Sequence, residues 1–169
     1  SVIVANERGA NDAIKFSQVD YLGFPFSISE TFQRRNTNSG IADSLDTVKF
    51  MVDLCSANNK ELVVYISMGF GNPYGDDWSP AIVNDWVGQL TDMGITQFSL
   101  SDTVGVSTQK TIEGVFSSVN QEFEKAEFGG HFHTKPWEWE EKVETAYNNG
   151  CRRFDGAIKG YGGCPMAKD

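Results

Sequence analysis

Residues 126–133 read Ala-Glu-Phe-Gly-Gly-His-Phe-His, and this stretch decides the fold. Ala126 to Phe132 has the composition of a strand, and its reactive groups sit at the carboxyl end. Side chains two apart in a strand share a face, so His131 and His133 aim the same way, close enough to hold one divalent ion. They are the only 2 histidines of the chain. An isolated His-x-His is equally a pair of hydrogen-bonding sheet residues, because metal ligation needs a third donor from elsewhere.

The same strand-then-loop-then-helix pattern repeats on both sides of this stretch. Strands are expected at Ser1–Ala5, Tyr21–Ser27, Glu61–Met68, Thr96–Leu100 and Cys151–Ile158. A short helix should follow the first strand and end near Phe16. The polar stretch Ser29–Gly40 reads as a loop, followed by a helix over Ile41–Asn58 with Leu45, Val48, Met51, Val52 and Cys55 at helical spacing. Ser79-Pro80 signals a helix running to about Met93, with Gly94 stopping it. Ser107 can cap a helix reaching Glu124. Pro136 is expected to start the last helix, which Asn149-Gly150 stops.

About six strands alternating with five helices imply a parallel α/β sheet with right-handed crossovers. The spacing is that of a (β/α) TIM-barrel, with six of its eight units present, in one catalytic domain covering residues 1–169. A flavodoxin-like open sheet is the competitor, but no phosphate-cradling glycine loop follows the first strand. A complete barrel takes ~250 residues, so the chain of 169 residues reads as an interior piece of a larger protein. Two unpaired sheet edges would invite association, including into homo-oligomers.

Composition excludes several function classes. With 40% hydrophobic residues, one domain has enough material for a core. A formal charge of −9 disfavours nonspecific attraction to nucleic acid and obliges an anionic substrate to find a local positive site. No apolar run is long enough for a bilayer, and no signal peptide is visible. Cys55, Cys151 and Cys164 are widely spaced and suggest neither a disulfide framework nor a Cys-x-x-Cys site, so reduced thiols and a cytoplasmic location are the default. Cys55 and Cys151 read as core packing. Cys164 lies in a glycine-rich loop, where a thiol is a liability unless used.

Four strand ends carry the chemistry. Ser29-Glu30 follows the second strand, and Ser101-Asp102-Thr103-Val104-Gly105 the fourth. His131-Phe132-His133 ends the fifth, and Gly160-Tyr161-Gly162-Gly163-Cys164-Pro165 follows the sixth. In a barrel these loops converge on one mouth. Taken singly, Asp102 reads as a cap for the turn after it, Glu30 as a solvated charge, and Arg34-Arg35 as either a solvated pair or a clamp for phosphate or carboxylate.

Taken together, Ser101–Val106, His131-Phe132-His133 and Gly160–Ala167 resemble 3-hydroxy-3-methylglutaryl-CoA lyase, of the metal-dependent lyase and Claisen-synthase group of TIM barrels. Ser27–Phe32, Asn36-Thr37-Asn38 and Asn72-Pro73-Tyr74 match further segments in order, and Gly162-Gly163-Cys164-Pro165 is the most specific part. The resemblance implies that His131 and His133 bind Mg²⁺ or Mn²⁺, that His131 also transfers protons, and that Cys164 is a loop thiol closing over an acyl-CoA substrate. It makes Asp102 an active-site carboxylate near the substrate. The implied reaction is retro-Claisen cleavage of a 3-hydroxyacyl-CoA to acetyl-CoA and a keto acid such as acetoacetate. The group's other metal ligands, an Asp beside an Arg and an Asn beyond the cysteine loop, have no counterpart in this sequence, so the isolated chain is expected to be inactive.

A Claisen-type synthase lacks the cysteine loop, and a noncatalytic fragment is the third reading. Thr134-Lys135-Pro136-Trp137 stands where the family carries Asp-Thr and a glycine turn. The acidic helix Trp137–Glu144 replaces a small-residue one, and Asn72 replaces a cysteine. These departures point to a divergent relative with a different acyl substrate.

Overall fold

The structure, a computed structural model, describes residues 1–157. Six parallel strands lie side by side in chain order: β1 (Val2–Ile3), β2 (Tyr21–Ser27), β3 (Glu61–Ser67), β4 (Gln97–Asp102), β5 (Glu127–Phe132) and β6 (Phe154–Asp155). A doubly wound sheet reverses its strand order at a switch point. Here the order never reverses, which removes the flavodoxin-like alternative. The sheet is the curled arc of a partial TIM barrel.

Helices α1 (Glu7–Ala13), α2 (Glu30–Thr37), α3 (Ile41–Ala57), α4 (Pro80–Asp92), α5 (Gln109–Glu122) and α6 (Trp139–Asn148) connect the strands. One face of the sheet is apolar and packs on them. Leu22, Phe24 and Phe26 of β2, Leu62, Val64 and Ile66 of β3, and Phe98 and Leu100 of β4 meet Val48, Met51, Val83, Val87, Ile112, Phe116 and Val119. Each such side chain contributes about 1.5–3 kcal/mol of burial. Alternate residues point the other way and are mostly polar or small: Gln97, Ser99 and Ser101 on β4, Glu127, Gly129 and His131 on β5.

Several boundaries differ from the sequence reading. The stretch expected to be a loop after β2 contains α2. Ser29 caps it by accepting from Phe32 N at 3.1 Å, and Asn38 ends it in the left-handed conformation at φ 57°. Only Phe32 and Gln33 of this helix are buried, so it lacks the apolar periodicity by which helices are recognised. Strand β4 runs two residues further than expected, because Ser101 and Asp102 pair with His131 and Phe132. Pairing overrides the turn-forming character of Ser and Asp. Thr108, not Ser107, caps α5; the Ser107 hydroxyl is committed to Asp102 Oδ2 at 2.5 Å. Helix α6 starts at Trp139 rather than Pro136, since Lys135 to Glu138 closes a turn through Glu138 N to Lys135 O, 3.0 Å. Strand β6 is Phe154–Asp155, shorter than expected at its start. Ile158 and the Gly160–Ala167 loop with Cys164 lie outside the described residues.

Candidate active site at the carboxyl ends of the strands

The exits of β2, β3, β4 and β5 are tied to one another in sequence. Between β2 and β3, Asp76 accepts from the Ser29 hydroxyl at 2.5 Å, from Thr31 N at 3.1 Å and from the Thr31 hydroxyl at 2.8 Å. These donors hold the Asp76 carboxyl below its ordinary value of 3.8. Asn72 keeps the loop in shape: its Oδ1 accepts from Tyr74 N and Asp76 N, and its Nδ2 donates to Asp76 O. Between β3 and β4, the Thr103 hydroxyl accepts from Met68 N at 2.9 Å, and Gly69 N donates to Ser101 O at 3.1 Å.

At the end of β5 the two imidazoles lie together, with ring centroids 5.4 Å apart. His131 is part of the ladder, paired with Ser101 on one side and Asp155 on the other. Its ring and that of Tyr65 of β3 meet in a T-shaped arrangement, with centroids 5.7 Å apart. Burial first, then the Asp155 carboxylate, push the Tyr65 hydroxyl up to about 12. Ser99 donates to Asp155, at 3.1 Å. Below this cluster a cavity of about 280 Å³ opens against Tyr65, Arg153 and Asp155.

Burial holds both histidines below their ordinary 6.5. Neutral imidazole is the form that binds metals. His131 Nδ1 is buried and bonds nothing among the described residues. A buried ring nitrogen without a partner, next to a second neutral imidazole, fits a bound cation. The fit is partial, because among the described residues no group of three or more His, Cys, Asp or Glu is placed to hold an ion.

Asp102 is one register place beyond the Ser101–His131 pair and points to the opposite, helix-facing side. The resemblance puts this carboxylate beside the substrate. In the structure its side chain is fully buried, accepting from Val106 N at 2.8 Å, Ser107 N at 3.1 Å, the Ser107 hydroxyl, and Lys142 Nζ at 2.8 Å. Its contacts with Val106 N and Ser107 N are those of the turn cap read from the residue alone. Lys142 went unremarked in the sequence, where it is one lysine of an acidic helix. Only its spacing, on the inward face of α6 with Ala146, hinted at burial.

Glu30 is a cap rather than a free charge: it pairs with Arg34 at 2.6 Å and accepts from Ile41 N at 2.9 Å, at the start of α3. Arg35 lies over the Tyr74 ring at 4.7 Å. The two arginines are thus separately engaged and form no common clamp. Cys55 and Cys151 are buried as expected.

The HMGL-like family model matches residues 1–165. The 3-hydroxy-3-isohexenylglutaryl-CoA/hydroxy-methylglutaryl-CoA lyase of Pseudomonas aeruginosa is 31% identical over 169 residues, which is 99% of this chain and 56% of that enzyme. The chain spans about half the length of the curated relatives it matches. The HMG-CoA lyase of Bacillus subtilis superposes with a TM-score of 0.88 at 30% identity, covering 98% of this chain and 55% of that one. An HMG-CoA lyase from Acinetobacter baumannii, solved with coenzyme A and 3-methylmalate, gives 0.87 at 27% identity, with 98% and 54% covered. Sequence and backbone agree from end to end of the arc, and the chain belongs to the HMGL-like family.

Proposed function

We propose that the protein carrying this chain is a divalent-metal-dependent carbon–carbon lyase. It cleaves a 3-hydroxyacyl-CoA to acetyl-CoA and a keto acid such as acetoacetate. The observation that carries the reading is the imidazole pair side by side at the strand exits, with the buried His131 Nδ1 unpartnered among the described residues. The names of the similar lyases support it, as does the coenzyme A in one of the similar structures.

His131 and His133 would hold Mg²⁺ or Mn²⁺. When bound, such a cation supplies Lewis acidity toward the hydroxyl and carboxylate oxygens of the substrate. His131, at the sheet edge of the pair, takes part in moving the hydroxyl proton. Loss of that proton breaks the carbon–carbon bond and leaves an acyl-CoA enolate, which must be reprotonated at carbon. Cys164 is assigned to this proton transfer. Its ordinary thiol pKa of ~8.5 falls near a cation. Asp102 is assigned as an active-site carboxylate near the substrate, and its contacts also fix the turn after β4. We place the protein in the cytoplasm with reduced cysteines; no helix among the described residues is long and apolar enough to cross a membrane.

The test is keto-acid release from hydroxymethylglutaryl-CoA with added Mn²⁺, using full-length protein. His133→Ala should abolish both turnover and Mn²⁺ binding. Cys164→Ala should reduce turnover far more than metal binding. Unchanged Mn²⁺ affinity in His133→Ala would remove the metal reading. Equal loss of both properties in Cys164→Ala would remove the proton-transfer role. The 169-residue chain alone should be inactive, since its described residues supply no third ligand beside the histidines; turnover by it would refute this.

A further inference from the structure

Helix α6 sends one cation into the junction between the β4 and β5 exits. Lys142 is 7% exposed at its side chain and Asp102 0%. The ammonium lies 2.8 Å from Asp102 Oδ2, 3.4 Å from Gly105 O and 3.5 Å from His133 O. All three partners are acceptors. Without a donor among them, a carboxylate and two carbonyls would face one another away from water, which is strongly unfavourable.

His133 depends on this junction more than His131 does. Strand β5 ends at Phe132, so His131 is held by the ladder on both sides while His133 lies one residue outside it. The backbone of His133 is held by His133 N to Asp102 O, 3.3 Å, and by Lys142 at its carbonyl. We propose that Lys142 is a positioning residue of the imidazole pair: it fixes the His133 carbonyl against the β4 exit turn and so keeps the two rings within reach of one ion. The inference rests on the proposed metal-binding reading and assigns Lys142 no contact with metal or substrate.

The test compares Mn²⁺ affinity, measured by electron paramagnetic resonance on full-length protein, in wild type and in the double variant Asp102→Asn/Lys142→Met. Changing both residues avoids leaving a buried charge unpaired, and an osmolyte such as trimethylamine N-oxide keeps the variant folded. Val87→Ala, a buried site on α4, serves as a control for general loosening. Lys142 as a positioning residue predicts at least about tenfold weaker Mn²⁺ binding in the double variant and an affinity within about twofold of wild type in the control. The proposal is overturned if the double variant binds like wild type, or if Val87→Ala weakens binding as much for the same loss of thermal midpoint. If wild type and His133→Ala bind Mn²⁺ alike, the metal reading itself fails, which is a separate and recognisable result.

Discussion

Gly105 and His133 stand in direct contact: a Cβ at position 105 would lie 3.1 Å from the His133 carbonyl oxygen, and φ at Gly105 is +71°. The backbone angle favours glycine, and a side chain here would oblige the His133 carbonyl to give by a few tenths of an ångström. Gly105→Ala should cost about 1–3 kcal/mol through strain alone, and it should also push His133 away from His131. Gly94 separates the two effects, because its φ is +95° and a Cβ there would meet nothing within 4 Å. Urea unfolding should show comparable losses for Gly105→Ala and Gly94→Ala. Mn²⁺ affinity should fall only in the first; equal affinity in both would mean that the contact does not set the geometry of the pair.

The clasp at Asp76 predicts an acid-sensitive stability. The Ser29 hydroxyl first, then the Thr31 hydroxyl, hold its carboxyl below 3.8 in the folded state. The stabilisation is therefore present above that ordinary value and is lost as pH falls through the lower, folded one. Asp76→Asn should be less stable at neutral pH by about 1 kcal/mol and should show a shallower fall as the pH drops below the ordinary carboxylate value of 3.8. Identical acid limbs for the two proteins in thermal melts would exclude Asp76 as a source.

Tyr65 works in the opposite direction. Its hydroxyl is raised from 10.0 to about 12, chiefly by burial and then by Asp155. A raised folded value gives stability that is complete below pH 10 and lost as pH climbs toward 12. Tyr65→Phe should lose less of its stability over that interval, measured by unfolding at stepped alkaline pH. An alkaline limb as steep as that of wild type would contradict this assignment.

The barrel class and five of the six helices were legible in the sequence, through apolar periodicity as in α3 and through start signals as in α4. Ser79-Pro80, for example, opens α4 through Ser79 accepting from Ile82 N at 3.2 Å. Helix α2 was not legible, since it is held by polar caps and by Glu30 and Asp76 rather than by an apolar stripe. The proximity of His131 and His133 followed from strand alternation, although His133 proved to lie beyond the strand. The surroundings of Asp102 could not be read, because its partner Lys142 is 40 residues away and becomes visible only when α6 packs against the β4 exit. Cys164, the most specific residue of the resemblance, lies outside the described residues.

Each strand of the arc pairs only with the strand before and after it in the chain. A polypeptide leaving the ribosome can therefore add one strand–helix unit at a time, each new strand pairing with the one made just before it. The same economy makes every seam between consecutive steps a place where evolution can exchange one exit loop for another while the scaffold behind it stays in register.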